Sequence, residues 1–269
     1  MEEYNNNKVL VETAIHNYIN EHSSCKIREL LEYCLFGGKF IRPIISLLII
    51  SEKNKNNKKD EPISQEIVSS IISIELLHSA SLIIDDLPNM DNDSIRRDKL
   101  SFHKKYGIEL AKVIANKLII DGIKKLMGVD NNEFNSLVLK ECKNACLGQY
   151  YDIYTNSNFE NINLKTSPFF VIAFCLGHVI SCKLKEDLEI YTEMGCDFAI
   201  LFQIADDFED FDNDLSKNKT MNNVILLGKR RALDIYNNKK KRLIGNLENN
   251  GLNNNVFKYF LNKLDKKIK

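Results

Sequence analysis

Apolar residues recur at helical spacing along most of the chain. One stripe runs through residues 27–35 and stops at Gly37, which predicts a helix that ends there. A second predicted helix follows Pro43. The longest apolar segment, residues 63–86, is apolar on more than one face, so we expect a central helix that ends before Pro88.

The rest of the pattern is also helical. Further helices are predicted, with a turn at 248–255 before the last of them, over residues 107–128, 132–155, 165–182, 186–211, 221–240 and 254–267. No alternating run long enough for a strand and no internal repeat is present. The pattern therefore predicts an all-α fold, and it offers no boundary that would divide residues 1–269 into more than a single domain.

The composition is typical of long helices, and its balanced charge indicates no macromolecular partner. The chain has only 11 Gly and 4 Pro, and its 37 basic residues balance its 37 acidic ones. The charged, Asn-rich segment 53–61 lacks aromatic residues, so we interpret it as a solvated connector and expect no nucleic-acid partner.

Nothing in the sequence resembles a targeting or membrane segment. The N-terminal residues 1–24 are polar and amphipathic, unlike a secretory signal or a transit peptide. The most apolar windows, 41–50 and 169–182, are shorter than the ~20 residues that span a bilayer. The seven cysteines include no CxxC pair, which favours buried free thiols in a reducing compartment. We therefore expect a cytoplasmic protein without a transmembrane segment.

Two acidic clusters interrupt this apolar pattern. DDLPNMDND at 85–93 and DDFEDFDND at 206–214 each follow a strongly apolar helix. Like charges repel one another, and the dipole at a helix C-terminus adds to that cost. A single cluster is equally well explained as a solvated helix end. Two such clusters favour bound cations, and carboxylates favour Mg²⁺ shared with phosphate oxygens.

Five segments carry a family resemblance. DDLPNMDNDSIRR resembles the first aspartate-rich motif of the trans-isoprenyl diphosphate synthases, and FQIADDFED at 202–210 resembles their second. GGKFIRP at 37–43, LGQYYD at 147–152 and the pair Lys165-Thr166 also match that family, in its order. The resemblance implies a single-domain bundle of about ten or more helices around a central cavity. It also implies Mg²⁺-dependent, head-to-tail condensation of an allylic diphosphate with isopentenyl diphosphate.

The resemblance assigns roles residue by residue. The implied ligands of several Mg²⁺ ions, three with diphosphate bound, are Asp85, Asp86, Asp91, Asp206, Asp207 and Asp210. The implied catalytic set is Asp85, Asp86, Arg96, Lys165, Thr166, Gln203 and Asp206. The implied substrate-binding set is Lys39, Arg42, His78, Arg96, Arg97, Lys165, Thr166, Gln203 and Lys219. Without the resemblance, His78 would be interpreted as a satisfied core histidine and Gln203 as a buried polar residue.

The chain departs from the family pattern in places. Asp98 replaces the usual Gly after the paired arginines, and the segment after the second motif is short, so that either Lys217 or Lys219 would take over a phosphate contact there. Relatives that make farnesyl diphosphate often carry an aromatic residue four or five positions before the first motif. Here Ala80 and Ser81 are small, which by analogy favours geranylgeranyl diphosphate, with farnesyl diphosphate as the alternative product.

The sequence leaves two other functions open. A terpene cyclase would have no use for the basic residues assigned to isopentenyl diphosphate. A non-catalytic regulatory subunit of a prenyl diphosphate synthase is favoured only by the short segment after the second motif. The resemblance also implies a homodimer.

Overall fold

The computed structural model describes residues 2–56, 63–154, 159–182, 188–216, 222–252 and 254–268. Within them lie 13 helices and one short β-hairpin, so the predicted all-α class is confirmed. The elements are α1 (Glu2–Asn20), α2 (Cys25–Leu35), α3 (Ile41–Asn56), α4 (Gln65–Asp85), β1 (Ile95–Arg96), β2 (Lys99–Leu100), α5 (Phe102–Tyr106), α6 (Ile108–Met127), α7 (Asn132–Tyr154), α8 (Phe159–Ser181), α9 (Leu188–Glu209), α10 (Phe211–Ser216), α11 (Asn223–Leu227), α12 (Lys229–Asn249) and α13 (Asn255–Lys267).

The chain forms two compact units, which we describe separately. Unit 1 comprises Met1–Leu47 and Glu61–Asn135. Its centre is α4, which packs on α6, α1 and α2. Gly122 on α6 makes the α4–α6 contact possible, because a Cβ atom there would lie 2.9 Å from Cγ of Leu77.

Unit 2 comprises Leu48–Asp60 and Ser136–Lys269. Its centre is α9, which packs on α8, α12 and α13. The carboxylate of Asp197, fully buried in α9, accepts hydrogen bonds of 2.6 and 2.5 Å from Arg242 of α12. Such a pair ties α12 to the core, because a buried carboxylate without a partner would be costly.

Most predicted helices are found within two residues of their predicted ends, and three predictions need correction. The predicted helix 165–182 begins earlier, at Phe159. The predicted helix 221–240 is wrong: Gly228, with φ +79°, separates α11 from α12. The predicted connector 53–61 is helical through residue 56, and its remaining residues lie outside the described ones. The single domain over residues 1–269 stays a prediction.

Two helices are long and apolar enough to cross a membrane, judged by length and composition. They are Gln65–Asp85 and Asn163–Ser181, and most of each apolar window is buried inside the structure. Core helices of soluble proteins pass the same test, so this is weak evidence for a span.

Candidate active site

The acidic cluster of unit 1 is built where α4 ends. Asp86 caps the helix and is 2% exposed, and its carboxylate accepts hydrogen bonds of 2.9 and 2.5 Å from the guanidinium of Arg96. Burial raises the pKa of the Asp86 carboxyl, although Arg96 acts against that rise. The amide of Asp91 donates to the carbonyl of Asp85 at 2.9 Å, which folds the loop back onto the helix end. The predicted first-cluster residues therefore lie together, with Asp86 already engaged by Arg96.

The hairpin that follows places Arg97. Arg97 and Asp98 form its two-residue turn with φ of +54° and +60°, the left-handed conformation that such turns need. The Arg97 guanidinium donates to the Glu75 carboxylate at 3.0 Å and to the Cys34 carbonyl at 3.1 Å. A Cβ atom at Gly38 would lie 3.0 Å from this guanidinium, so the glycine of the GGK segment leaves room for it.

Glu75 was missed by sequence reasoning. It is 2% exposed, and burial raises the pKa of its carboxyl, while Arg97 and Arg42 act against that rise. The only signal in the sequence was one acidic residue in the middle of an otherwise apolar helix. The Glu75 carboxylate neutralises part of the positive charge of Arg97 and Arg42.

His78 lies among these cations. Burial and the charges of Arg42 and Arg97 lower the pKa of the imidazole well below its usual value, so His78 is neutral at pH 7. Its predicted contact with a diphosphate would then be a hydrogen bond from a neutral ring. Lys39 is exposed, and its carbonyl accepts a hydrogen bond from Tyr4.

In unit 2, a chain of hydrogen bonds orients Gln203. The Thr166 hydroxyl donates to the Gln203 amide oxygen at 2.7 Å, and the Gln203 amide nitrogen donates to Asp207 at 2.8 Å. The other Asp207 oxygen accepts from the main-chain and side-chain amides of Asn223, both at 2.8 Å. Burial raises the pKa of Asp207 to about 6. Asp207 therefore acts here as a hydrogen-bond acceptor, and its predicted metal role stays a prediction.

Asn223 is another residue that sequence reasoning missed. It is fully buried and follows the short segment after the second motif. Its neighbour Asn222 caps α11 and donates to the carbonyl of Asp207 at 2.8 Å. An Asn pair just before an apolar run is an ordinary helix-start signal, which hid this second role.

The exposed part of the second cluster holds a cation from the chain itself. The Lys267 ammonium lies 2.5 Å from Oδ1 of Asp206 and 2.6 Å from Oε2 of Glu209. Asp210 is exposed; partial desolvation raises its carboxyl pKa, and nearby carboxylates, Asp214 first, add to that rise. Sequence reasoning missed both Lys267 and Glu209.

The GQxxD and KT motifs meet in unit 2. A Cβ atom at Gly148 would lie 2.4 Å from the main-chain nitrogen of Lys165, so only glycine allows α7 and α8 to approach there. The Lys165 ammonium then reaches the Asp152 carboxylate at 2.6 Å. Lys217 and Lys219 lie outside the described residues.

The carboxylates of unit 2 fit a divalent cation. Among the described residues no group of three or more His, Cys, Asp or Glu side chains forms a ready-made metal cage. Asp206 and Glu209 nevertheless converge on one cation, the Lys267 ammonium. Oxygen donors in such small numbers suit Mg²⁺, which takes one or two carboxylates and completes its shell with water and phosphate oxygens.

Comparisons with known proteins agree on one family. A family model described as polyprenyl synthetase matches residues 24–264. A trans-prenyltransferase of African swine fever virus is 30% identical over 241 residues, covering 83% of this chain and 71% of the viral protein. A farnesyl diphosphate synthase of Bacillus subtilis is 27% identical over 242 residues, covering 78% of this chain and 79% of its own. Among solved structures, a geranyltranstransferase of Thermotoga maritima superposes with a TM-score of 0.81 at 22% identity, covering 98% of both chains.

Proposed function

The chain belongs to the polyprenyl synthetase family, and we propose that it is an active, Mg²⁺-dependent trans-prenyltransferase. The proposed reaction joins isopentenyl diphosphate head to tail to an allylic diphosphate. The observation that carries the proposal is the Thr166–Gln203–Asp207 chain directly beside Asp206. These hydrogen bonds fix the Gln203 amide beside the second aspartate-rich motif, where the family resemblance expects positive charge to develop.

The side chains divide the chemistry between them. Asp85 and Asp91 in unit 1 would hold Mg²⁺, and so would Asp206 in unit 2; bound Mg²⁺ supplies Lewis-acid stabilisation of the departing pyrophosphate. Arg96 and Lys165 are held by carboxylates, and each would direct its positive charge at diphosphate oxygens.

Thr166 and Gln203 place fixed oxygen dipoles where the resemblance puts the allylic cation. Because their hydrogen bonds are already formed, these dipoles need no reorganisation when charge develops. Isopentenyl diphosphate would bind to Lys39, Arg42 and Arg97, with a hydrogen bond from His78.

We propose geranylgeranyl diphosphate as the product. Ala80 and Ser81 are both small; Ala80 is fully buried, and the Ser81 hydroxyl is turned back onto its own helix, where it donates to the His78 carbonyl at 2.8 Å. The Bacillus subtilis relative is named a farnesyl diphosphate synthase, which makes the shorter product the competing outcome. Ser81→Phe should shorten the product if this helix face lines the path of the growing chain.

One incubation tests the reaction. Purified protein is mixed with Mg²⁺, isopentenyl diphosphate and each allylic starter, and the products are identified by mass spectrometry. We expect one dominant prenyl diphosphate that disappears with EDTA and in Asp85→Ala and Asp206→Ala. Asp234→Ala, on the exposed surface of α12, is the matched control. A folded protein that yields nothing from any starter would contradict the proposal and favour the regulatory subunit.

We also propose a homodimer. In unit 1, α6 exposes Leu110, Val113 and Ile120, the last two at 60% and 65%. In unit 2, α7 exposes Leu139 and Tyr150, at 55% and 52%. Exposed apolar side chains repeated along one helix are typical of a protein interface.

We propose a cytoplasmic location on the basis of the thiols. All seven cysteines lie in described residues and none forms a disulfide, but the prediction that the thiols are buried is wrong for Cys25 and Cys146, which are exposed. Exposed free thiols are typical of a reducing compartment.

A further inference from the structure

Lys267 is a basic residue placed on the second acidic cluster by the last helix of the chain. The Lys267 side chain is 22% exposed, and its ammonium contacts Asp206 at 2.5 Å and Glu209 at 2.6 Å. Asp206 is the residue of this cluster that the proposed function needs most as a metal ligand. One carboxylate is thus required by two cations.

The position of Lys267 is fixed by the rest of α13. Asn254 caps the start of the helix, and Asp265 accepts hydrogen bonds from Tyr236 and Lys240 of α12 at 2.9 and 2.8 Å. The apolar face of α13, including Phe257, is buried. The ammonium is therefore delivered by an anchored helix and not by a loose tail.

The surroundings are strongly acidic. Asp210 and Asp214 add to the charge of Asp206 and Glu209, and the other three carboxylates add to the rise in the pKa of Asp210 that desolvation begins. Without a cation these carboxylates would repel one another across the end of α9. The ammonium relieves that repulsion in the metal-free protein.

We propose that Lys267 is a built-in counter-cation that holds Asp206 in place and is displaced from it when Mg²⁺ binds. This inference rests on the proposed function, because it takes Asp206 as a metal ligand. Lys267 is a positioning residue: it acts through Asp206 and sets the affinity for Mg²⁺. Displacement also loosens the last turn of α13, so that metal binding changes the C-terminal end of the chain.

Calorimetric titration of the substrate-free protein with MgCl₂ tests the competition directly. Lys267→Met removes the competing charge and keeps the length of the side chain. We expect its dissociation constant for Mg²⁺ to be about tenfold lower than that of the unaltered protein, the scale of a partly exposed charged hydrogen bond. Lys267→Arg should restore the weaker binding, and Lys266→Met, an exposed neighbour on the same helix, should change nothing.

Hydrogen exchange gives a second readout that does not depend on activity. Adding Mg²⁺ should speed amide exchange in the last turn of α13 in the unaltered protein. In Lys267→Met the exchange should already be fast and insensitive to Mg²⁺.

The outcomes separate this inference from the proposed function. Equal Mg²⁺ affinity in the unaltered protein, Lys267→Met and Lys266→Met would overturn the counter-cation. Mg²⁺ binding that survives unchanged in Asp206→Ala would instead remove Asp206 from the metal site and with it part of the proposed function.

Discussion

Three of the basic side chains assigned to the two diphosphates are each held by a carboxylate in the same unit. A cation that is held in this way loses less side-chain entropy when a phosphate arrives, and it keeps donors that the carboxylate does not use. The carboxylate therefore acts as a second layer of the site. The three pairs are Arg97 with Glu75, Arg96 with Asp86, and Lys165 with Asp152.

Glu75→Gln should weaken isopentenyl diphosphate binding through Arg97. The variant keeps a hydrogen-bond acceptor but removes the charge that holds the guanidinium, so we expect KM for isopentenyl diphosphate to rise about tenfold with a smaller change in kcat. Steady-state kinetics with each substrate varied in turn would measure the split. An increase confined to KM for the allylic substrate would contradict this role.

The same substitution has a signature in pH dependence. Because burial raises the pKa of Glu75 in the folded protein, its contribution to stability is fully present below the unfolded pKa and is lost as pH rises through the folded pKa. Glu75→Gln lacks this loss. The free energy of unfolding of Glu75→Gln minus that of the unaltered protein should therefore increase as pH rises from about 4 upward. Urea unfolding at a series of pH values checks the sign, and a difference that does not change with pH would refute it.

At Asp98 the backbone conformation predicts the effect of a substitution. Its φ of +60° in a two-residue hairpin turn is a conformation that glycine adopts without cost. We expect Asp98→Gly to raise the free energy of unfolding by about 0.5 kcal/mol and Asp98→Ala to lower it by about 1 kcal/mol. Paired denaturant titrations would decide, and a stabilising Asp98→Ala would exclude this explanation.

At the scale of elements, two glycines in helices make opposite predictions. A Cβ atom at Gly148 would lie 2.4 Å from the main-chain nitrogen of Lys165 on α8, so Gly148→Ala must push α7 and α8 apart and should cost about 3 kcal/mol or more. Gly245 lies inside α12, and a Cβ atom there would have no described atom within 4 Å beyond its chain neighbours and the adjacent backbone of its own helix, so Gly245→Ala should add about 0.5–1 kcal/mol through helix propensity alone. Thermal unfolding of both variants, with enzyme activity as a second measure, distinguishes them. Similar effects at the two positions would show that the α7–α8 contact is not tight.

The elements also show what periodicity can predict. The long helices α4, α6 and α9 were predicted closely because apolar residues recur at helical spacing over their whole length. The break at Gly228 was not, because a glycine inside a helical pattern is often tolerated and its φ depends on the neighbours it packs against. The hairpin was missed because two-residue strands have no period.

Within the site, sequence reasoning reached the residues that belong to motifs and missed the ones that support them. Asp206 and Gln203 stand in a recognisable segment, whereas Lys267 and Glu75 become relevant only when folding brings distant positions together. Nothing in the local sequence of α13 distinguishes Lys267 from Lys266. Partnerships across 61 residues are a property of tertiary packing, which single-sequence patterns do not encode.

At the scale of the whole molecule, the proposed homodimer gives the last prediction. Val113 and Ile120 lie seven residues apart on α6, about two helical turns, and are 60% and 65% exposed. In a two-fold symmetric interface every substitution appears twice, so a charge placed there is buried on both sides. We expect the double variant Val113→Glu/Ile120→Glu to sediment as a monomer under conditions where the unaltered protein has twice the chain mass.

Val9→Glu, equally exposed at 58% on α1, is the matched control and should remain dimeric. A monomeric unaltered protein, or a dimer that survives both charges, would show that this face of α6 serves another purpose. Circular dichroism of the double variant verifies that the helices are intact, since loss of fold alone would also dissociate a dimer.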